Sequence, residues 1–215
     1  PKPSSAASDV YKRQDLFRIS YERPALDENF HIRKEDYFRE NGGIVFPNPN
    51  APTGKLLPLE DVERIIAQNP DVIVIVDEAY IDFGGTSALP LIDKYDNVLV
   101  VQTFSKSHSM AGMRIGYAMA QPELIKYLND VKYSFNSYTM DQLTLAMGKA
   151  SVEDREYFKQ TTDKITQSVF EYVNNRQNPS DNGNFLKRFR CLTYDVLESV
   201  HGFDNSTICV IQPSG

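Results

Sequence analysis

The stretch VVQTFSKSHSMAGMRIGYAM, residues 100–119, decides the fold that the sequence predicts. An apolar run ends at a cluster of hydroxyls around Lys106, and a second apolar run follows Arg114, eight residues later. An amine buried among hydroxyls such as Thr103 and Ser105 would lose proton affinity by desolvation, which activates a lysine toward carbonyl compounds. The alternative is a solvated lysine in a surface loop. The two apolar flanks argue against that alternative.

The composition predicts a soluble globular protein. The chain has 215 residues, of which 41% are apolar and 24% charged, enough for one domain of ordinary size or slightly more. A net charge of −6 argues against a nucleic-acid partner, and no apolar stretch approaches the ~18 residues that would span a membrane. Two cysteines are compatible with a reducing cytoplasm, the predicted location. The three histidines show no ligand spacing, so no metal site is predicted.

Three continuous runs of β-branched residues predict buried strands. Such runs are typical of a parallel sheet that helices cover on both faces. They are GIVFP (43–47), DVIVIVDEAY (71–80) and NVLVVQTF (97–104).

Helical periodicity appears between and after these runs. It predicts helices over 58–69 and 121–131, and Ser151 with Asp154 resembles a capping box that opens one long helix to about Tyr172. Alternating strands and helices predict an α/β fold with a mostly parallel sheet flanked by helices.

A carboxylate follows the second strand. Asp77 emerges at the carboxyl end of that strand, where open α/β sheets bind ligands. One alternative is an acid satisfied by local backbone donors, and another is the acidic strand of a P-loop ATPase. The nearest P-loop candidate, PNAPTGKL, has Pro49 in place of the first glycine and Leu56 in place of Ser or Thr. The ATPase alternative is therefore disfavoured.

The Asn-rich turn FPNPNAPTGK, the strand end VIVDEAYIDF and the stretch FSKSHSMAGMRIGY occur in this order along the chain. Their combination resembles the fold-type I pyridoxal-phosphate aminotransferases and, more closely, the bacterial histidinol-phosphate aminotransferases, from about Leu16 to Ile165. The resemblance implies that residues 15–167 are the central part of the large domain that binds pyridoxal 5'-phosphate. It also implies small-molecule substrates and a homodimer.

The resemblance assigns roles to individual residues. Lys106 would attach the cofactor and move a proton, Asp77 would pair with the ring nitrogen, and Tyr80 would bond the phenolic oxygen. Ser105 and Arg114 would bind the cofactor phosphate.

Two further positions belong to the cofactor site that the resemblance implies. Thr103 would lie near the phosphate. The family commonly has an asparagine at the position of Ala51, and Asn50 or Asn48 is expected to replace it.

The activity that the resemblance implies is transamination between glutamate/2-oxoglutarate and histidinol phosphate/imidazole-acetol phosphate in histidine biosynthesis. The alternatives are another class I/II aminotransferase, a threonine-phosphate decarboxylase, and a non-catalytic remnant. Residues 1–14 are predicted to be a non-native leader. Residues 168–215 lose the resemblance and stay unassigned, with a frameshift or a disordered tail as hypotheses. Little or no activity is expected of this fragment alone.

Overall fold

The computed structural model describes residues 17–51, 53–174 and 209–210, with residues 172–174 and 209–210 described by backbone alone. Its centre is one sheet with the strand order β1-β2-β3-β4-β5. The strands are β1 (Ile44–Pro47), β2 (Val74–Asp77), β3 (Val98–Thr103), β4 (Gly116–Met119) and β5 (Cys209–Val210). Of the strand pairs that the described residues form, only β3 with β4 is antiparallel. The α/β prediction with a mostly parallel sheet is confirmed.

The strand register brings the carboxyl ends of β1, β2 and β3 to one edge of the sheet. Pro47 pairs with Asp77, and Asp77 pairs with Val101. Strand β3 then continues to Thr103, which pairs with Gly116 as the chain returns in β4. The side chains that follow all three strands therefore lie close together.

Four α-helices accompany the sheet among the described residues. They are α1 (Leu59–Ala67), α2 (Pro122–Phe135), α3 (Gln142–Glu153) and α4 (Arg155–Asn174). The helices predicted over 58–69 and 121–131 correspond to α1 and α2. Short 3₁₀ helices cover Lys34–Tyr37, Ile81–Phe83, Leu89–Asp93 and Ala111–Met113. None of the helices within the described ranges is both long enough and apolar enough to cross a membrane.

The predicted capping box at Ser151 is wrong. Ser151 lies in the last turn of α3, and Asp154 caps the next helix by accepting a hydrogen bond from Tyr157 N (3.1 Å). Helix α3 begins at its own cap, where Asp141 Oδ1 accepts from Thr144 N (2.7 Å). The sequence expectation placed the start of the second helix at Ser151 instead of at the Asp154 cap and did not predict α3.

Helix α1 covers one face of the parallel strands. Its residues Val62, Ile65 and Ile66 are fully buried, at the spacing that places them on one helical stripe. They share a core with fully buried strand residues, namely Phe46, Val74, Val76, Val98 and Val100. This core fixes the strands whose ends carry the polar residues.

The predicted terminal segments lie largely outside the described residues. The leader over 1–14 is wholly outside, as are 175–208 and 211–215. The predicted boundary at 167 falls inside α4, which continues to Asn174.

Gly116 allows β3 and β4 to approach closely, and its replacement by alanine is expected to destabilise the fold. A Cβ there would lie 2.8 Å from the backbone oxygen of Gln102, so the strand pair would have to shift. The expected loss in the free energy of unfolding is about 1–3 kcal/mol, measured by urea denaturation. Gly112→Ala is the matched control, because nothing lies within 4 Å of its added Cβ. Equal stabilities would contradict the prediction.

Candidate active site

Lys106, Asp77 and Tyr80 meet at the carboxyl edge of the parallel strands. The ammonium nitrogen of Lys106 lies 5.3 Å from the centre of the Tyr80 ring. Asp77 ends β2 on the neighbouring strand, and its Oδ1 accepts a hydrogen bond from Ala79 N (3.1 Å). Lys106 is partly buried, whereas the sequence predicts a buried amine.

The phenol of Tyr80 stays protonated over the physiological pH range. Burial, and secondly the nearby charge of Asp77, raise the pKa of Tyr80 to about 12. A protonated phenol donates a hydrogen bond. The site therefore combines a donor hydroxyl, a carboxylate and an amine within one small region.

Thr103, Ser105 and Arg114 lie where the chain leaves β3 and returns to β4. The Oγ1 of Thr103 accepts a hydrogen bond from Ser105 N (3.1 Å) and donates one to Ile115 O (3.4 Å). Arg114 has the left-handed backbone conformation, with φ 56°, and its Nη1 donates to Ala111 O (2.7 Å). These hydroxyls and this guanidinium are groups that suit a phosphate.

The two candidate asparagines differ in what their amides contact. Asn48 is buried, and its amide is used by the backbone of Leu57, to which it donates at 3.0 Å and from which it accepts at 2.8 Å. Asn50 donates to Thr53 Oγ1 (2.7 Å), while its buried Oδ1 has no hydrogen-bond partner among the described residues. Such an atom costs about 1–3 kcal/mol unless a further group donates to it. Asn50 is therefore the better candidate to contact a bound molecule.

The sequence expectation missed a buried acid next to Asp77. Glu78 is 1% exposed and accepts hydrogen bonds from Ser87 Oγ (2.7 Å), Ala88 N (2.6 Å) and Gln102 Nε2 (2.8 Å). The Oε1 of Gln102 accepts in turn from the Tyr117 hydroxyl at 2.5 Å. Consecutive residues of an extended segment point to opposite faces, a signal that separates the two acids.

The donor set at this edge fits a phosphorylated aldehyde with a nitrogen-containing ring. Lys106 offers an amine for an aldehyde, Asp77 an anion for a protonated ring nitrogen, and Tyr80 a donor for a phenolic oxygen. The buried Oδ1 of Asn50 is an acceptor without a partner among the described residues, so a donor group of a bound molecule would satisfy it. No group of three or more His, Cys, Asp or Glu side chains in the described part of the chain is arranged to hold a metal ion.

The fold is similar to that of several solved structures. The histidinol-phosphate aminotransferase of Clostridium acetobutylicum superposes with a TM-score of 0.70 at 21% identity, over 81% of this chain and 55% of that one. The enzyme from Sinorhizobium meliloti, in complex with pyridoxal-5'-phosphate, gives a TM-score of 0.54 at 30% identity, over 59% of this chain and 35% of that one. The sheet and its helices are thus part of the type I fold of pyridoxal-phosphate-dependent transferases.

Sequence comparison specifies the family. The family profile described as "Aminotransferase class I and II" matches residues 11–177. The chain belongs to this family. It is 56% identical over 153 residues to the histidinol-phosphate aminotransferase of Pseudomonas syringae pv. syringae (strain B728a), which covers 71% of this chain and 44% of that protein. The chain spans less than half the length of the curated relatives that it matches.

Proposed function

We propose that this chain is the cofactor-binding part of a transaminase that uses pyridoxal 5'-phosphate. The observation that carries the proposal is the position of Lys106 Nζ, 5.3 Å from the Tyr80 ring centre, at the strand edge that also carries Asp77. When bound, pyridoxal phosphate supplies an aldehyde and an electron-withdrawing ring. Every other part of the chemistry falls to side chains of the protein.

Lys106 has two tasks in this proposal. Its amine would hold the cofactor by the aldehyde group, and the free amine would accept the proton of the substrate Cα and give a proton back during amino-group transfer. The Tyr80 hydroxyl donates to the phenolic oxygen, a role supported by a pKa raised to about 12. The carboxylate of Asp77 holds the proton on the ring nitrogen by charge pairing.

The remaining predicted residues orient the molecule. Ser105 and Arg114 bind the phosphate, with Thr103 beside them, because hydroxyls and a guanidinium provide directed donors for phosphate oxygens. Asn50 contacts the phenolic oxygen through its amide nitrogen, in the role that the family commonly gives to the position of Ala51. A fixed phosphate sets the distance between Lys106 and the aldehyde, and even ~1 Å of misplacement can cost ~100-fold in rate.

The proposed substrates are glutamate/2-oxoglutarate and histidinol phosphate/imidazole-acetol phosphate, in histidine biosynthesis. The identity of 56% with a protein named histidinol-phosphate aminotransferase supports this pair over another class I/II aminotransferase or a threonine-phosphate decarboxylase. The cytoplasm is the proposed location, since the sequence has only two cysteines.

A second copy of the protein is the proposed partner. Several large apolar side chains from the end of α2 to the start of α3 are exposed, including Phe135 (89%), Tyr138 (94%) and Leu143 (68%). Exposed apolar groups at this density are typical of surfaces that another chain covers. The family resemblance implies that a homodimer covers them.

One experiment tests the proposed chemistry. The purified chain is mixed with pyridoxal phosphate, its absorbance is recorded, and the adduct is reduced with borohydride and mapped by mass spectrometry. Attachment at Lys106 is the expected result, and bleaching of unreduced samples by glutamate or histidinol phosphate would show that the fragment by itself keeps transaminase chemistry. Bleaching by threonine phosphate alone would favour the decarboxylase, and attachment without bleaching would favour the non-catalytic remnant. Absence of attachment at Lys106 would refute the proposal.

A further inference from the structure

The turn that carries Lys106, residues 104–110, is here named the lysine turn. Its shape is set by its own backbone, because Met110 N donates to Phe104 O (3.0 Å) and Ser109 N donates to Lys106 O (3.0 Å). These bonds do not determine where the turn lies relative to Tyr80. That position depends on contacts of its side chains with other parts of the fold.

Ser107 fastens one side of the lysine turn. It is 2% exposed, and its hydroxyl donates to Asp82 Oδ2 at 2.5 Å. Asp82 lies in the 3₁₀ helix Ile81–Phe83, which begins directly after Tyr80. A charge-assisted hydrogen bond therefore joins the residue after Lys106 to the segment that presents the Tyr80 ring.

His108 fastens the other side. Its ring stacks on Phe158 of α4, with 4.3 Å between ring centres, and its Nδ1 lies 2.8 Å from the Ser151 hydroxyl of α3. The ring also contacts Phe104 within the lysine turn, at 4.7 Å. Burial holds the pKa of His108 below its usual value, although the charge of Asp82 acts in the opposite direction. A neutral ring suits the stacking on Phe158. A serine hydroxyl can donate or accept, so it matches either neutral tautomer.

We propose that Ser107 and His108 are positioning residues that together hold Lys106 against Tyr80. Ser107 ties the lysine turn to the segment after β2, and His108 ties it to α3 and α4. The inference rests on the proposed function, in which the Lys106 amine must meet an aldehyde at a fixed place. If the turn samples other positions, the competent fraction falls and the apparent affinity for the aldehyde falls with it.

Ser107→Ala tests one side of this arrangement. The variant removes the hydroxyl and is expected to raise the dissociation constant for pyridoxal phosphate about tenfold, as for one lost charge-assisted hydrogen bond. In the unloaded chain, it is expected to raise the limiting acylation rate of Lys106 at high pH, where the amine is deprotonated. Acetic anhydride labelling, followed by peptide mass spectrometry, measures this rate relative to the exposed Lys149.

His108→Ala tests the contacts of the lysine turn with α3 and α4. Like Ser107→Ala, it is expected to raise both the dissociation constant for pyridoxal phosphate and the acylation rate of Lys106. If this variant does not fold, Ser151→Ala removes the hydroxyl at the Nδ1 contact and leaves the lysine turn unaltered. Thr162→Val is the matched control, because it removes a buried hydroxyl whose bonds, to Phe158 O and Lys159 O, stay within α4. The control is expected to leave both quantities unchanged.

Circular dichroism establishes that each compared variant is folded. Folded Ser107 and His108 variants with unchanged dissociation constants and unchanged Lys106 acylation would overturn the inference. If the parent chain does not attach pyridoxal phosphate at Lys106, the proposed function fails. The acylation rates of the unloaded chain would still decide whether Ser107 and His108 position the amine.

Discussion

Lys106→Ala is expected to abolish the absorbance change that pyridoxal phosphate produces with the parent chain. The aldehyde then lacks the amine that lies against Tyr80, and the phosphate contacts alone do not hold it covalently. The loss should be essentially complete, down to the background of surface lysines. The measurement is an absorbance titration, accompanied by mass spectrometry after borohydride reduction.

Lys132→Ala is the matched control for this prediction. Its ammonium lies 5.2 Å from the ring centre of Tyr133, which nearly reproduces the pairing of Lys106 with Tyr80, but on a helix face where Tyr133 is exposed. A cation–π pair contributes about 0.5–1 kcal/mol at an exposed site and about 2 kcal/mol when desolvated, so both variants should remain folded. A full absorbance change with Lys106→Ala, or its loss with Lys132→Ala, would contradict the proposed attachment site.

Glu78→Ala is expected to lower the free energy of unfolding by about 3–5 kcal/mol. The carboxylate is 1% exposed and accepts hydrogen bonds from Ser87, Ala88 and Gln102. Its removal leaves the buried Ala88 N–H unsatisfied, at a cost of about 1–3 kcal/mol, takes an acceptor from two half-buried donors, and opens a cavity. Urea denaturation followed by circular dichroism measures the effect.

Glu63→Ala provides the comparison for a similar acid near the surface. Glu63 accepts hydrogen bonds from Lys94 Nζ (3.2 Å) and Tyr95 (3.1 Å), yet its side chain is 32% exposed. Water can replace the lost partners there, so the expected change is about 0–1 kcal/mol. If the Glu78 and Glu63 variants lose equal stability, the buried hydrogen bonds of Glu78 do not stabilise the fold more than surface contacts do.

Sequence patterns identify some residues of the site and not others. Lys106 and Asp77 could be singled out because each follows an apolar run, and parallel strands end at one edge of a sheet. The alternation of faces along an extended segment separates Glu78 from Asp77, but it does not tell which of the two acids is buried. Only the packing against Ser87 and Ala88, about ten residues further along, made Glu78 the buried acid.

The helices after β4 show the same limit. Ser151 and Asp154 fit a capping-box spacing, yet Ser151 is helical and its hydroxyl faces His108, forty-three residues earlier in the chain. The spacing of residues along the chain shows which of them could cap a helix. Contacts distant in sequence select among them, because a hydroxyl with another partner no longer serves the helix end.

The sequence by itself determined the α/β class, the three parallel strands, α1 and α2, and the residues at which polar groups leave the sheet. These features are encoded locally, because a helix that buries one face needs apolar residues at the helical repeat and a fully buried strand needs a continuous apolar run. Only the tertiary structure decided that the Tyr80 ring meets Lys106, that Asn50 rather than Asn48 keeps a buried oxygen unpaired, and that Ser107 reaches Asp82. Those contacts join separate segments, and their geometry arises from the packing of the sheet and helices, which no local pattern specifies.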